Sequence, residues 1–110
     1  RIGHTARLMY DFGNIVLCTF ISPYKEDRDY VRALFPEGDF VEVFVKVSLD
    51  EARRRDPKGL YAKVDNGEIK GFTGVDAPFE EPENAEVIVE SEGTDVTGAV
   101  ETVLERLRER

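Results

Sequence analysis

The chain has 110 residues, a formal charge of −8, 41% hydrophobic residues and 35% charged residues. That length holds one domain at most, with enough chain for one core, and the composition is that of a folded soluble protein rather than a disordered one. The acidic balance excludes non-specific nucleic-acid binding, which needs a basic patch for phosphates, and no apolar run reaches the ~18 residues of a membrane span.

The opening RIGHTARLMYDFG reads as a helix, with Ile2, Ala6, Met9 and Tyr10 on one face and Gly13 as its C′ residue. No N-cap precedes it, so the chain is expected to open inside a helix and to be part of a longer domain. Residues 14–22, NIVLCTFIS, are a near-continuous apolar run rich in β-branched residues, the pattern of a strand buried on both faces of a parallel sheet. Cys18 lies within it; a single cysteine excludes an intrachain disulfide and points to the reducing cytoplasm. Ser22 as N-cap and Pro23 at the first helical position predict a charged helix over 24–34 with Val31 and Leu34 facing inward.

FVEVFVKV, residues 40–47, is the second expected strand. Ser48 and Glu51 match the S-x-x-E capping box of a helix that runs through Arg55 and stops before Pro57. Residues 56–76, DPKGLYAKVDNGEIKGFTGVD, form a lysine- and glycine-studded segment with a short helix near 59–66. After a loop broken by Pro78 and Pro82, EVIVE (86–90) is the third strand, and the last helix runs from Asp95 to Arg110. Its stripe of Val96, Ala99, Val100, Val103, Leu104 and Leu107 is the expected inner face. Helices alternating with strands predict an α/β fold with a parallel sheet and flanking helices.

In such sheets ligands bind beyond the carboxyl ends of the strands. That rule selects Ile21-Ser22-Pro23, Ser48, and Ser91 to Thr94. Ser22 fits an anion held at a helix N-terminus; pattern alone favours a plain N-cap worth about 1 kcal/mol. As a nucleophile it would need a base, and the lone histidine, His4, reads as a surface or packing residue. Arg53-Arg54-Arg55 with Lys58 is the densest basic cluster; it reads as an anion site or as a solvated helix end complementing the helix dipole. No metal-ligand spacing is present. The 56–76 segment fits a glycine-hinged lid carrying Lys58, Lys63 and Lys70 to anionic groups and Phe72 to a base, or a disordered surface loop.

FISPYKEDRDYVRALFP, FVEVFV, RDPKGLYAK and GEIKGFTGVDAPFEEPENAEV, in this order and spacing, resemble adenylylsulfate (APS) kinase over nearly the whole chain. The resemblance implies a P-loop NTPase-type kinase fold. It implies transfer of the γ-phosphoryl group of ATP, with Mg²⁺, to the 3′-hydroxyl of adenosine 5′-phosphosulfate, giving PAPS for sulfate assimilation. By that resemblance Ile21, Ser22, Lys58, Gly71 and Phe72 meet APS, with Phe72 stacking on its adenine. Arg55 and Thr94 meet the ATP adenine, and the lid spans about 55–76. Ser22 and Lys58 are the implied catalytic residues. Ser22 is the family's traditional phosphoserine position, but without an evident base direct in-line transfer is the expectation here. A homodimer and a fusion to, or partnership with, sulfate adenylyltransferase are further implications.

The departure is the Walker A loop, G-x-x-x-x-G-K-[ST], which the family carries on its first strand and which does not occur in these residues. The resemblance puts that strand in the middle of the sheet, between 14–22 and 40–47. The expectation is therefore a partial kinase domain, residues 1–110, with its N-terminal strands missing. Unmade buried hydrogen bonds cost about 1–3 kcal/mol each against a total stability of about 5–15 kcal/mol, so the chain by itself is expected to be inactive and marginally folded. The alternative is a non-catalytic fragment that binds APS or nucleotide, or a regulatory remnant.

Overall fold

A computed structural model describes residues 1–109; Arg110, the expected end of the last helix, lies outside the described residues. The chain divides into two compact units, Arg1–Phe40 and Val41–Arg110.

The first unit is a pair of helices, α1 (Ile2–Asp11) and α2 (Lys25–Arg32). Gly13, at φ +89°, ends α1 as expected. Its N–H bonds the Tyr10 carbonyl at 2.8 Å and the Asn14 N–H bonds that of Met9 at 3.3 Å, the paired bonds of a Schellman motif. The buried face of α1 is Gly3 and Ala6, while Ile2 and Met9, expected inside, are exposed. The face turns because Gly3 has no side chain: a Cβ there would lie 2.8 Å from Val31 Cγ2. Polar contacts complete the packing. His4 Nε2 lies 2.8 Å from the Tyr30 hydroxyl, Arg7 donates to the Leu34 carbonyl at 2.6 Å, and Tyr10 sits edge-on to Phe35 at 5.4 Å.

Two expectations are corrected here. Residues 14–22 form no ladder among the described residues, and Ile15 and Leu17 are 85% and 84% exposed. An apolar run becomes a strand only when another strand takes its N–H and C=O groups. Ser22 is not an N-cap, because α2 begins after an extended Tyr24 with no side-chain cap. Ser22 instead has φ +44°, a left-handed backbone that cannot serve the extended N-cap position. Its carbonyl accepts a hydrogen bond from Arg28 at 2.6 Å.

The second unit is built on β1 (Val43–Lys46) and β2 (Val87–Glu90), which pair in parallel with Val43 opposite Val87 and Lys46 opposite Glu90. Both strands are shorter than 40–47 and 86–90. Val87 and Val89, at 4% and 6% exposure, are the buried apolar centre, and Phe44 stacks with Phe79 at 6.3 Å. Between the strands run α3 (Leu49–Arg55) and α4 (Leu60–Asp65), and α5 (Val96–Arg108) packs on β2. The Asp95 carboxylate caps α5, accepting the Gly98 N–H at 2.7 Å. Half of the expected inner stripe is covered: Ala99, Val103 and Leu104 are half-buried, whereas Val96, Val100 and Leu107 are exposed. A sheet of two strands is too narrow to cover a stripe that winds along α5.

Gly3→Ala tests the first unit. Overpacking against Val31, whose branched side chain is stiff at χ1, costs about 1–3 kcal/mol. Better helix propensity returns about 1 kcal/mol. Urea unfolding should show a net loss of about 1 kcal/mol; a gain in stability would mean that α1 and α2 do not approach at Gly3.

Candidate active site

Parallel pairing sets the carboxyl ends of β1 and β2 side by side, so the residues that follow them meet. Ser48, at the start of α3, gives its N–H to the Glu92 carboxylate at 2.6 Å, and its hydroxyl accepts the Glu51 N–H at 3.2 Å. Only half of the expected capping box is therefore present. The other half is supplied by Glu92, and bonds from the Ser48 side chain and backbone hold the Glu92 carboxyl below its ordinary pKa.

Glu51 turns to the other end of α3. It accepts from Arg54 Nε and from Arg55 Nε, each at 2.8 Å. The bonded Arg54 and then Arg55 guanidiniums lower its carboxyl from an ordinary 4.5 to about 2. Arg55 reaches on to the turn after β2, donating to Ser91 Oγ at 2.8 Å and to the Ser91 carbonyl at 3.0 Å. Arg53 holds both Asp65 oxygens, at 2.8 and 2.7 Å, and lies 5.5 Å from the Tyr61 ring centre; the Asp65 bond raises its pKa. Each of the three arginines thus has an internal carboxylate. The three arginines form a paired helix end, and Lys58 is the exposed cation of the cluster.

Residues 56–76 are ordered by carboxylates as well. Asp56 accepts the N–H groups of Tyr61 and Ala62 at 3.2 and 3.3 Å. This frames the turn at Lys58 and Gly59, where Gly59 takes φ +66°, and Lys58 is exposed. Further on, Asp76 accepts the Gly71 N–H at 2.8 Å and also that of Phe72. The Phe72 carbonyl in turn accepts the N–H groups of Val75, Asp76 and Ala77, each at 3.1 Å. The Phe72 ring sits edge-on to Tyr61 at 5.0 Å. The segment is a short helix followed by a closed turn, not a structureless loop.

The expected site residues fall as follows. Ile21 and Ser22 belong to the first unit, Ile21 being exposed. Arg55, Lys58, Gly71, Phe72 and Thr94 belong to the second. There Arg55 is tied to Ser91, and Thr94 lies exposed between that turn and the Asp95 cap. Glu51, Tyr61 and Asp76, which orient Arg55 and Phe72, carry no sequence signal of that role, because each acts through a partner set by the fold. A shallow cleft at the strand ends is lined by Lys46, Ser48, Glu81, Glu90 and Glu92. Among the described residues no group of three or more His, Cys, Asp or Glu side chains would hold a metal ion, and no helix is long and apolar enough to cross a membrane.

Comparison with known proteins decides the family. The family profile for adenylylsulphate kinase matches residues 1–90. The chain belongs to the adenylylsulphate kinase family. It is 49% identical, over its 110 residues, to the probable adenylyl-sulfate kinase of Bacillus subtilis, covering 100% of this chain and 55% of that one. It is 48% identical over the same length to the bifunctional enzyme NodQ of Azospirillum brasilense, of which it covers 18%. The solved Mycobacterium tuberculosis APS kinase CysC, in complex with AMPPNP and APS, superposes with a TM-score of 0.84 at 39% identity, covering 96% of this chain and 62% of that one. The chain thus has the α/β fold of the P-loop kinases and spans about half the length of the curated adenylyl-sulfate kinases it matches.

The Glu51 bonds give a pH dependence. A carboxyl whose folded pKa lies near 2 and whose ordinary value is 4.5 contributes stability above about pH 4.5, lost as pH falls towards 2. Thermal unfolding of the full-length protein and of Glu51→Gln should converge as pH drops from 5 to 2, the substitution being destabilising only at the upper end. A constant gap between the two would mean that Glu51 is not held ionised by Arg54 and Arg55.

Proposed function

We propose that this chain is part of a complete kinase that transfers the γ-phosphoryl group of ATP to the 3′-hydroxyl of adenosine 5′-phosphosulfate. The observation that carries the reading is its likeness, over nearly all of its length, to a family member solved with APS and an ATP analogue. Residues 1–110 are then one stretch of the kinase domain, with 55–76 as the lid. The Walker A segment that the family carries N-terminal to this stretch would supply a further strand of the sheet. The exposed apolar side chains of 14–22 fit that reading.

The roles follow residue by residue. Ile21 and Ser22 contact APS. Ser22 is held at φ +44° with its carbonyl on Arg28, and such backbone outliers, costing about 1–3 kcal/mol each, cluster at ligand clamps. Ser22 acts as a binding group and not as a nucleophile: His4, the single histidine, is engaged with Tyr30, and a serine without a base is a poor nucleophile. Lys58 is exposed at its framed turn and neutralises charge on the transferring phosphoryl and the phosphosulfate. Gly71 and Phe72 close over APS, with the ring against its adenine. Arg55 and Thr94 flank the ATP adenine, Arg55 oriented by Glu51 and Ser91. Phosphoryl transfer needs positioning and charge stabilisation more than covalent help, and this is what these residues provide. ATP enters with Mg²⁺; no group of three or more His, Cys, Asp or Glu side chains among the described residues would hold it, and no step is assigned to it. The kinase acts in the cytoplasm. A homodimer, and fusion to or partnership with sulfate adenylyltransferase, complete the proposal; the bifunctional relative fits the fusion.

Two measurements on the full-length protein test this. Lys58→Ala should lower kcat/KM for APS about 10- to 100-fold, the worth of a charge-assisted hydrogen bond of about 1.5–3 kcal/mol; an unchanged value removes Lys58 from the site. Peptide mass spectrometry after incubation with ATP alone should find Ser22 unmodified, and phosphoserine there would replace direct transfer by a covalent intermediate. APS binding without phosphoryl transfer would favour the non-catalytic alternative.

A further inference from the structure

The arginines and Glu51 of α3 have partners with a plain structural purpose. Asp76 is different. It lies on an exposed turn, caps no helix and makes no ion pair among the described residues, yet its carboxylate reaches back to two consecutive backbone N–H groups. Those N–H groups belong to Gly71 and Phe72.

The geometry around them is tightly specified. Gly71 takes φ +68° and Gly74 φ +86°, backbone conformations that glycine adopts without strain. The Phe72 carbonyl gathers the N–H groups of Val75, Asp76 and Ala77, and the Ala77 carbonyl accepts the Gly74 N–H at 2.7 Å. The turn therefore closes on itself from both sides. Asp76 binds its leading edge, and the Phe72 ring leaves that edge towards Tyr61, 5.0 Å away and inclined at 70°. Tyr61 is in turn held under the Arg53 guanidinium. One face of the Phe72 environment is thus set by an aromatic edge and its backbone by a carboxylate.

We propose that Asp76 is the positioning residue of Phe72: by accepting the Gly71 and Phe72 N–H groups it fixes the backbone from which the ring projects, and so sets the affinity for the adenine of the phosphosulfate substrate. The inference rests on the reading that Phe72 meets that adenine, and adds a residue which touches no substrate. The physical basis is preorganisation. A carboxylate bonded to two N–H groups removes backbone freedom that binding would otherwise have to remove. Losing it penalises the substrate contacts made from this turn, the ring's first among them, and leaves those made elsewhere.

A double-mutant cycle in the full-length kinase tests the inference. Asp76→Asn keeps the size of the side chain and one acceptor oxygen, which preserves folding, while Asp76→Ala removes both acceptors. Asp76→Asn should raise KM for APS about 3-fold and Asp76→Ala about 10-fold, with KM for ATP and kcat within about 2-fold of wild type. Phe72→Ala should raise KM for APS by itself, and adding Asp76→Asn to it should have no further effect. Amide exchange at Gly71 and Phe72 should accelerate in Asp76→Asn while the strand amides of Val87 and Val89 stay protected. Additive effects in the cycle, or faster exchange with an unchanged KM for APS, would overturn the inference and leave Asp76 a purely structural residue. An unchanged KM for APS in Phe72→Ala would instead bring down the reading of Phe72 itself, and the inference with it. The single Phe72 variant thus separates the two failures.

Discussion

The second unit depends on one interaction: the parallel pairing of β1 with β2 around Val87 and Val89. Parallel strands end at the same edge, so the segments that leave them start side by side. Here that places Ser48, which opens α3, against Glu92, which follows β2. It also lets Arg55, at the far end of α3, return to Ser91 in the same turn. Two ends of one short helix are thereby tied to two consecutive residues. A helix of seven residues is too short to be stable by itself, and these ties, with its Ser48 cap, take the place of a long buried face.

Charge is arranged in the same economical way. An acidic chain carries a dense basic segment, and pairing decides which of its cations remain available. Glu51 sits between Arg54 and Arg55, and Asp65 takes Arg53. Guanidiniums suit this role, since their planar forks match carboxylates in a fixed geometry. The lysines Lys58, Lys63 and Lys70 are left exposed along the following segment. A flexible ammonium loses less by staying hydrated until an anionic ligand arrives. The division of labour between arginine and lysine is what makes a lysine-bearing segment compatible with a rigid helix beside it.

The first unit works by a different principle. Its two helices meet where Gly3 allows Val31 to approach, and the polar edges of His4, Arg7 and Tyr10 are matched to groups on or just after α2. Between the helices, residues 14–22 expose their apolar side chains, and the turn at Ser22 is held in a left-handed conformation by its neighbours, Arg28 among them. A serine with a left-handed backbone next to an exposed apolar run is a local conflict within an otherwise consistent pair of helices.

Much of this was legible in the sequence. The order of the helices, the strands near 43 and 87, the Gly13 stop, the Asp95 start and the short helix near 60 all follow from local pattern, because capping, period and turn chemistry act over a few residues. The sequence by itself also determined the family, since long blocks in a fixed order are hard to meet by chance. Tertiary structure alone decided the partners. Whether 14–22 is a strand depends on a neighbour that no local pattern supplies. The Ser48 N–H is taken by the Glu92 carboxylate and not by that of Glu51, which serves Arg54 and Arg55 instead, because strand pairing sets residue 92 beside residue 48. The inner face of α1 turned on a glycine, which has no hydrophobicity to read but leaves the space another helix fills. Asp76 looked like one more surface acid until the chain folded back and set two N–H groups against it. Hydrogen-bond partners distant in sequence are a consequence of where the backbone goes, and only the folded chain has that information.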